Sequence, residues 1–299
     1  FNGEIYNFES LKALLPEYDW KTTSDTEVVA ELFDYFGKDV ISKFNGIYSI
    51  AHVCLRTGAL SLFRDPLGVK PLYYYAEKNE VFFASEVKAL SKYPVNLEIS
   101  REDLLESLHF GYVHEPNTGF RYIKKVPPGA VIIFDKHSVK TDTFFFESDG
   151  VGFSEQKVKA ALKRQSFSDV PIGTFFSGGV DSTVIASEVE SDLLYINSRL
   201  DEDDNKDLTY LVSKDLASLA KNEGFTVMLS GMGADELFGG YLRYYIVKYH
   251  WLFSTLFRGY LLLNSIKNGG HKHKLDRIRN YLDEKDSLKR YARLVGYFS

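Results

Sequence analysis

Between Gly46 and Glu86, apolar and polar residues alternate in short runs separated by turns, the period of half-buried strands. Ile47–Cys54 alternates, Arg56-Thr57-Gly58 turns the chain, and Ala59–Arg64 returns as a hairpin partner. Asp65-Pro66-Leu67-Gly68 is a second turn, after which Pro71–Tyr75 and Val81–Ala84 form another pair. The pattern predicts an antiparallel arrangement. Helical spacing brackets it: a short helix over Leu11–Leu15, one that Ser24 or Asp25 can cap and that runs to about Phe36, and one starting at Ser100-Arg101-Glu102-Asp103. Ile123–Phe134 adds a proline-glycine turn and a hydrophobic strand.

The period changes after a polar, glycine-containing stretch, Glu147–Gly152, which reads as a linker. Val158–Leu162 is helical, Val170–Phe176 is an apolar run of the buried-strand kind, and Ser182–Val189 has helical spacing. Leu193–Asn197 predicts a strand, Asp207–Ala220 a helix and Phe225–Leu229 another strand. Strands alternating with helices predict a parallel sheet. Tyr241–Leu263 and Leu275–Phe298 read as two aromatic-rich amphipathic helices. Because Lys248, His250 and Arg258 interrupt the first, it is expected to be buried rather than to cross a membrane. Asp201–Asp204 and His271–Lys274 read as solvated loops.

Candidate chemistry sits at the strand-to-helix turn Ser177-Gly178-Gly179-Val180-Asp181-Ser182-Thr183. Glycines let an anionic group approach the backbone, and a helix start aims unpaired N–H groups and partial positive charge at it. Asp181 would repel bare phosphate, so it makes sense where a divalent cation bridges carboxylate and phosphate oxygens. An ordinary serine-glycine turn with a capping Asp accounts for these residues equally well. The second strand, however, ends in Ser230-Gly231-Met232-Gly233-Ala234-Asp235-Glu236. Ligands of open parallel sheets bind beyond the carboxyl ends of strands, so Asp181 and Asp235 become partners for one metal ion, an inventory that suits Mg²⁺ beside substrate phosphates.

Composition narrows the class. The 299 residues are 44% hydrophobic and 15% aromatic, enough for two packed domains. A net charge of −5 without a basic tract gives no footprint for nucleic acid. One cysteine, Cys54, excludes an internal disulfide framework and suits a reducing cytoplasm. It reads as a buried, mid-strand structural residue.

The two Ser-Gly motifs, together with Leu237-Phe238-Gly239-Gly240-Tyr241, resemble the synthetase domain of glutamine-dependent asparagine synthetases, and Asn2-Gly3-Glu4-Ile5-Tyr6-Asn7 resembles the class II glutamine amidotransferase domain. From the residues alone Asn2-Gly3 is a hairpin turn. The resemblance implies an α+β N-terminal domain over 1–147 with Ntn-hydrolase-like antiparallel sheets, then an α/β ATP-pyrophosphatase domain (adenine nucleotide α-hydrolase-like) over 148–299. It implies that Asn2 and the Gly3 N–H form an oxyanion hole, and that Asn2, Gly3, Glu4 and Asp25 bind glutamine. Ser177, Gly178, Gly179 and Ser182 would bind pyrophosphate, Phe175, Ile196, Ser230 and Gly231 would offer backbone to ATP, and Asp181 and Asp235 would hold Mg²⁺. Phe63–Tyr74 and Phe83–Leu90 would serve as scaffold and interdomain contact.

The expected reaction is amide formation from aspartate, ATP and glutamine or ammonia. The partners are small molecules, with no nucleic acid and no membrane; a homodimer is compatible with all of this. Three departures temper the match. The stretch 183–229 is short for the family, a lysine that contacts the phosphates is missing, and Met232 stands where the family has the carboxylate tied to acyl-adenylate formation. Relatives acting on other carboxylates, namely β-lactam synthetases, lasso-peptide cyclases and surface-sugar amidotransferases, therefore stay open, as does a catalytically silent paralogue. The family's nucleophilic cysteine precedes the Asn-Gly-Glu segment; a molecule that truly began at Phe1 is expected to lack glutaminase activity.

Overall fold

The computed structural model describes residues 1–77, 80–135, 138–144, 154–195, 208–265 and 279–295, with the side chains of 195, 208–212, 262–265 and 292–295 left aside. The chain divides into two compact units, Phe1–Ser148 with Tyr245–Ser299, and Asp149–Tyr244.

The first unit holds two antiparallel sheets. Strands β1 (Asn2–Ile5), β2 (Gly46–Cys54), β3 (Ala59–Arg64), β7 (Ala130–Phe134) and β8 (Val139–Thr143) form one, in that order. Strands β4 (Tyr73–Glu77), β5 (Glu80–Ala84) and β6 (Ile123–Lys125) form the other, with β4 central. Asn2-Gly3 is therefore part of an edge strand paired with β2, not a hairpin turn. Ile50, Phe63 and Val131 face helices α1 (Phe8–Leu11) and α2 (Asp25–Phe36). Their strand neighbours Leu62, Ala130 and Ile132 pack with Tyr74 and Val81 of the second sheet and with Leu72 just before it. The inner strands β3 and β7 are thus covered on both faces, as their apolar residues require, while the edge strand β8 is exposed. Helix α3 (Val87–Leu90) closes the far face of the small sheet around Tyr75, Leu90 and Ile123. Helix α4 (Arg101–Phe110) is capped by Ser100, whose Oγ accepts from the Asp103 N–H at 3.2 Å.

A polar knot holds the turn between β3 and β4. Arg64, 2% exposed, donates from Nε to the Lys70 carbonyl (2.9 Å) and from Nη1 to the Val126 carbonyl (2.8 Å) and the Glu115 carboxylate (2.8 Å). Its buried neighbour Asp65 accepts from the N–H groups of Leu67, Val69 and Lys70. Lys125 completes the cluster on Glu115. Burial works to raise the Glu115 carboxyl, yet the Lys125 ammonium and the Arg64 guanidinium outweigh it and hold the group below the ordinary glutamate range. A folded value below the unfolded one stabilises the protein above the unfolded pKa, and that stability drains away as pH falls through the folded value. Denaturation midpoints measured below about pH 4.3 should fall more gently with acid in Glu115→Gln than in the parent. Parallel slopes would remove Glu115 from the acid response.

The second unit, led by α5 (Glu155–Gln165), has three parallel strands in the order β10 (Asp192–Tyr195), β9 (Ile172–Phe176), β11 (Val227–Leu229). Helix α6 (Val180–Glu188) leads from β9 to β10 on one side, and α7 (Leu208–Asn222) carries the chain back to β11 on the other. The strand order reverses across β9. Helix α8 (Ala234–Phe238) follows β11.

Beyond it the predicted helix over 241–263 is two, α9 (Leu242–Lys248) and α10 (His250–Ser265), parted at Tyr249, where nothing in the structure explains the break. The helix expected over 275–298 is likewise interrupted after 279–283, because Asp286 caps a new helix, Ser287–Val295, by accepting from the Lys289 N–H at 2.9 Å. Glu147–Gly152, Ile196, Asp201–Asp204, Asp207 and His271–Lys274 lie outside the described residues. Among the described residues, no helix is long and apolar enough to cross a membrane.

Candidate functional site

Strand β9 ends at Phe176 and the chain turns through Gly178, whose φ of +77° suits glycine, into α6. Gly179 is the N-cap; the first intrahelical bond runs from the Thr183 N–H to its carbonyl at 3.0 Å. The N–H groups of Val180, Asp181 and Ser182 precede that bond, at the positive end of the helix. Hydroxyls tie the loop together: Ser182 Oγ donates to the Gly179 carbonyl (3.1 Å), lies 3.1 Å from Ser177 Oγ and accepts from the Ser177 N–H (3.3 Å). The buried Ser182 hydroxyl is thus a strut of the loop.

Because β11 pairs directly with β9, Leu229 opposite Thr174, the loop after β11 emerges beside the loop after β9. The contact is tight. A Cβ on Gly231 would stand 2.9 Å from the Asp181 Cβ and 3.4 Å from the Ser182 nitrogen, so only glycine lets the second motif reach the first turn of α6. A cavity of about 400 Å³ results, lined from the first motif by Phe175, Ser177, Gly179, Asp181 and Ser182, and from the second by Ser230 to Gly233, by Asp235 and Glu236 of α8, and by Tyr241. Both carboxylates paired by the sequence reading, Asp181 and Asp235, are on its wall. Among the described residues no cluster of three or more metal-ligating side chains exists; two acidic residues beside hydroxyls and helix-start N–H groups suit a cation that takes its remaining ligands from phosphate and water. Gly178 is not part of the lining, and Ile196 is outside the described residues.

Three lining residues escaped the sequence reading: Gly233, Glu236 and Tyr241. Tyr241 donates to Glu236 Oε1 at 2.7 Å, and the Arg243 guanidinium stacks 3.9 Å above the Tyr241 ring. The acidic doublet Asp235-Glu236 was the available signal.

At the other candidate site, Asn2 and Glu4 share one face of β1, and Asn2 Nδ2 donates to Ser85 Oγ at 3.3 Å. Asp25 begins α2, whose N-cap is Ser24, and its Oδ2 accepts from the Ile5 N–H at 2.9 Å. That bond reveals the ladder parity. The Ile5 N–H points away from β2, so the Gly3 N–H, two residues earlier, points to the same open edge. A Cβ on Gly3 (φ +153°) would meet the Tyr48 Cα at 2.6 Å, so glycine is required there too. Cys54 departs from its expected place. It is the half-buried last residue of β2, not a buried mid-strand one, and Thr57 hydrogen bonds lower its thiol to about 7. It also lies five residues along β2 from Ser49, the partner of Asn2, or roughly 17 Å, too far to act at that edge.

The profile of the glutamine amidotransferase domain family matches residues 1–145, and that of the asparagine synthase family matches residues 154–193 and 203–296. The chain belongs to the glutamine-dependent asparagine synthetase family. Asparagine synthetase [glutamine-hydrolyzing] 1 of Bacillus subtilis is 34% identical over 199 residues, 62% of this chain and 32% of that protein. Number 3 of the same organism is 34% identical over 203 residues, 62% and 33%. The maize asparagine synthetase is 32% identical over 189 residues, 62% and 29%. These matches span about a third of each relative. A solved allosteric regulatory enzyme of purine biosynthesis superposes loosely, with a TM-score of 0.35 at 18% identity, covering 71% of this chain and 48% of its own. Within this asparagine synthetase family chain Met232 is 78% exposed, its backbone N–H donating to Ser230 Oγ at 3.1 Å, so no carboxylate occupies that position of the cavity wall.

Proposed function

We propose that this chain is part of an ATP-driven, amide-forming ligase of asparagine synthase type, converting aspartate, ATP, glutamine and water into asparagine, glutamate, AMP and pyrophosphate. The observation that carries the reading is the packing of Gly231 on Asp181, which joins the two strand-end loops around one cavity. We assign 1–147 to the class II amidotransferase fold of Ntn-hydrolase type, supported by two packed antiparallel sheets between helices, and 148–299 to the ATP-pyrophosphatase fold. A cytoplasmic location accords with both.

In the synthetase site, N–H groups at the start of α6 and the Ser177 hydroxyl would receive the leaving pyrophosphate, while Phe175, Ser230 and Gly231 offer backbone to the nucleotide. Asp181 and Asp235 would hold Mg²⁺, which when bound neutralises phosphate charge that builds as the acceptor carboxylate displaces pyrophosphate. Ammonia then attacks the activated acyl carbon and AMP leaves. At the amidotransferase edge, Asn2 Nδ2 and the outward Gly3 N–H would stabilise the oxyanion formed at the glutamine side-chain amide, with Glu4 and Asp25 directed at its α-amino group.

The exposed, uncharged Met232 supports a second reading, in which the acceptor is a carboxylate other than aspartate. ATP-dependent pyrophosphate release with Mg²⁺, ammonium and a series of carboxylates tests both. Stoichiometric AMP and asparagine are expected; release only with another acid would select the second reading, and release with none would overturn both.

A further inference from the structure

Helix α8 is followed by two adjacent glycines whose needs differ. Gly239, with φ +76°, caps the helix in the left-handed region, and a Cβ built there meets nothing nearer than 4.0 Å, so glycine serves its backbone. Gly240 is not among the glycines with positive φ, and its backbone would suit any L-residue. Its constraint is space. A Cβ on Gly240 would overlap Asp235 Oδ1 outright and stand 2.9 Å from Asp235 Cγ, while the Asp235 Cα would be 3.4 Å away. The Asp235 carboxylate therefore fills the volume that a side chain at 240 would need. The N–H groups of Gly239 and Gly240 both donate to the Asp235 carbonyl, at 2.9 and 3.0 Å, so the chain folds back over this one residue. Asp235 is on the cavity wall and Gly240 is not.

Resting on the metal assignment made above, we propose that Gly240 is a positioning residue for Asp235. Its missing side chain lets the carboxylate lie back against the chain at 240, in the rotamer that turns it to the cation. Any larger residue would push the carboxylate to another rotamer while leaving the loop its backbone. Mg²⁺ asks for near-ideal octahedral geometry, so a ligand moved in this way is a ligand weakened. Gly231 stands against Asp181 in a related way, but at the Cβ and not at the charge.

The test is calorimetric binding of an ATP analogue, with a methylene bridge between its α- and β-phosphates, to the full chain in Mn²⁺ and again in EDTA. The parent should bind more tightly with Mn²⁺. Gly240→Ala should weaken the Mn²⁺-loaded Kd about 10- to 100-fold, the range for disturbing a residue that orients a metal ligand, with the Kd in EDTA unchanged and the melting temperature within a few degrees. Gly239→Ala should do the reverse, lowering the melting temperature by several degrees through backbone strain and keeping the Mn²⁺-loaded Kd. Equal losses of Mn²⁺-loaded binding in the two variants would reduce the pair to a loop requirement and overturn the role. Asp235→Ala removes the group that Gly240 accommodates, so adding Gly240→Ala to it should cost no further binding and no further stability. This holds the proposal to account even if Gly240→Ala alone fails to fold: a folded double variant supports it, and an unfolded one overturns it. A parent that gains nothing from Mn²⁺ removes the metal assignment itself, whereas a gain that Gly240→Ala retains in full removes only the role of Gly240.

Discussion

Asp181→Asn is expected to lower ATP-dependent pyrophosphate release by about three orders of magnitude while leaving the melting temperature within a few degrees of the parent. The rate term follows from several kcal/mol of charge neutralisation lost when the cation is no longer anchored. The stability term follows from shape. Asn preserves the Cβ against which Gly231 packs, so the two loops stay joined. Asp235→Asn should do the same, and because both carboxylates serve one ion, the double variant should be barely slower than either single. Unchanged turnover in Asp181→Asn would sink the metal assignment, and multiplicative losses in the double variant would mean that the two carboxylates act separately.

Arg64→Ala carries the largest expected structural effect, on the order of 3–5 kcal/mol, a large share of the stability of an ordinary domain. The guanidinium satisfies the Lys70, Val126 and Gly68 carbonyls and one oxygen of Glu115 from a fully enclosed position. Removing it leaves a carboxylate short of a partner, strips three carbonyls of their donor and opens a void the size of the side chain. Urea denaturation of the first unit should show the loss, and Arg64→Lys should recover only part of it, since an ammonium cannot span the same fork of acceptors. A midpoint unchanged by Arg64→Ala would show that the knot is peripheral to the fold.

Neither knot nor cavity was equally legible along the chain. The hairpin Ile47–Arg64 is written in period-two alternation, and the strand–turn–helix at Ser177 is written in apolar run, glycine and helical spacing, because each depends on neighbours a few residues away. Local signals failed where an alternative local signal was stronger. Asn2-Gly3 spells a turn but is drawn into β1 by pairing with β2, and the long apolar pattern after Tyr241 hides the break at Tyr249. The Asp286 cap was readable in principle and was masked by the amphipathic pattern around it. Arg64 and Asp65 looked like scaffold from their motif, but nothing in the spacing says that Glu115 and Lys125 would reach them.

What the residues determined without help is the inventory: two strand ends each followed by glycines, hydroxyls and an acidic residue, and an Asn-Gly-Glu segment ahead of a capped helix. What waited for the folded chain is adjacency. Strand order places β11 beside β9, which brings Gly231 onto Asp181 and gathers Glu236 and Tyr241 around the same cavity; ladder parity turns the Gly3 N–H outward and gives the Ile5 N–H to Asp25. The physical reason is range. Periodicity and turn chemistry are settled over a few bonds of backbone, whereas register and strand order are settled by burying both faces of a sheet at once, a condition that no short stretch of chain contains.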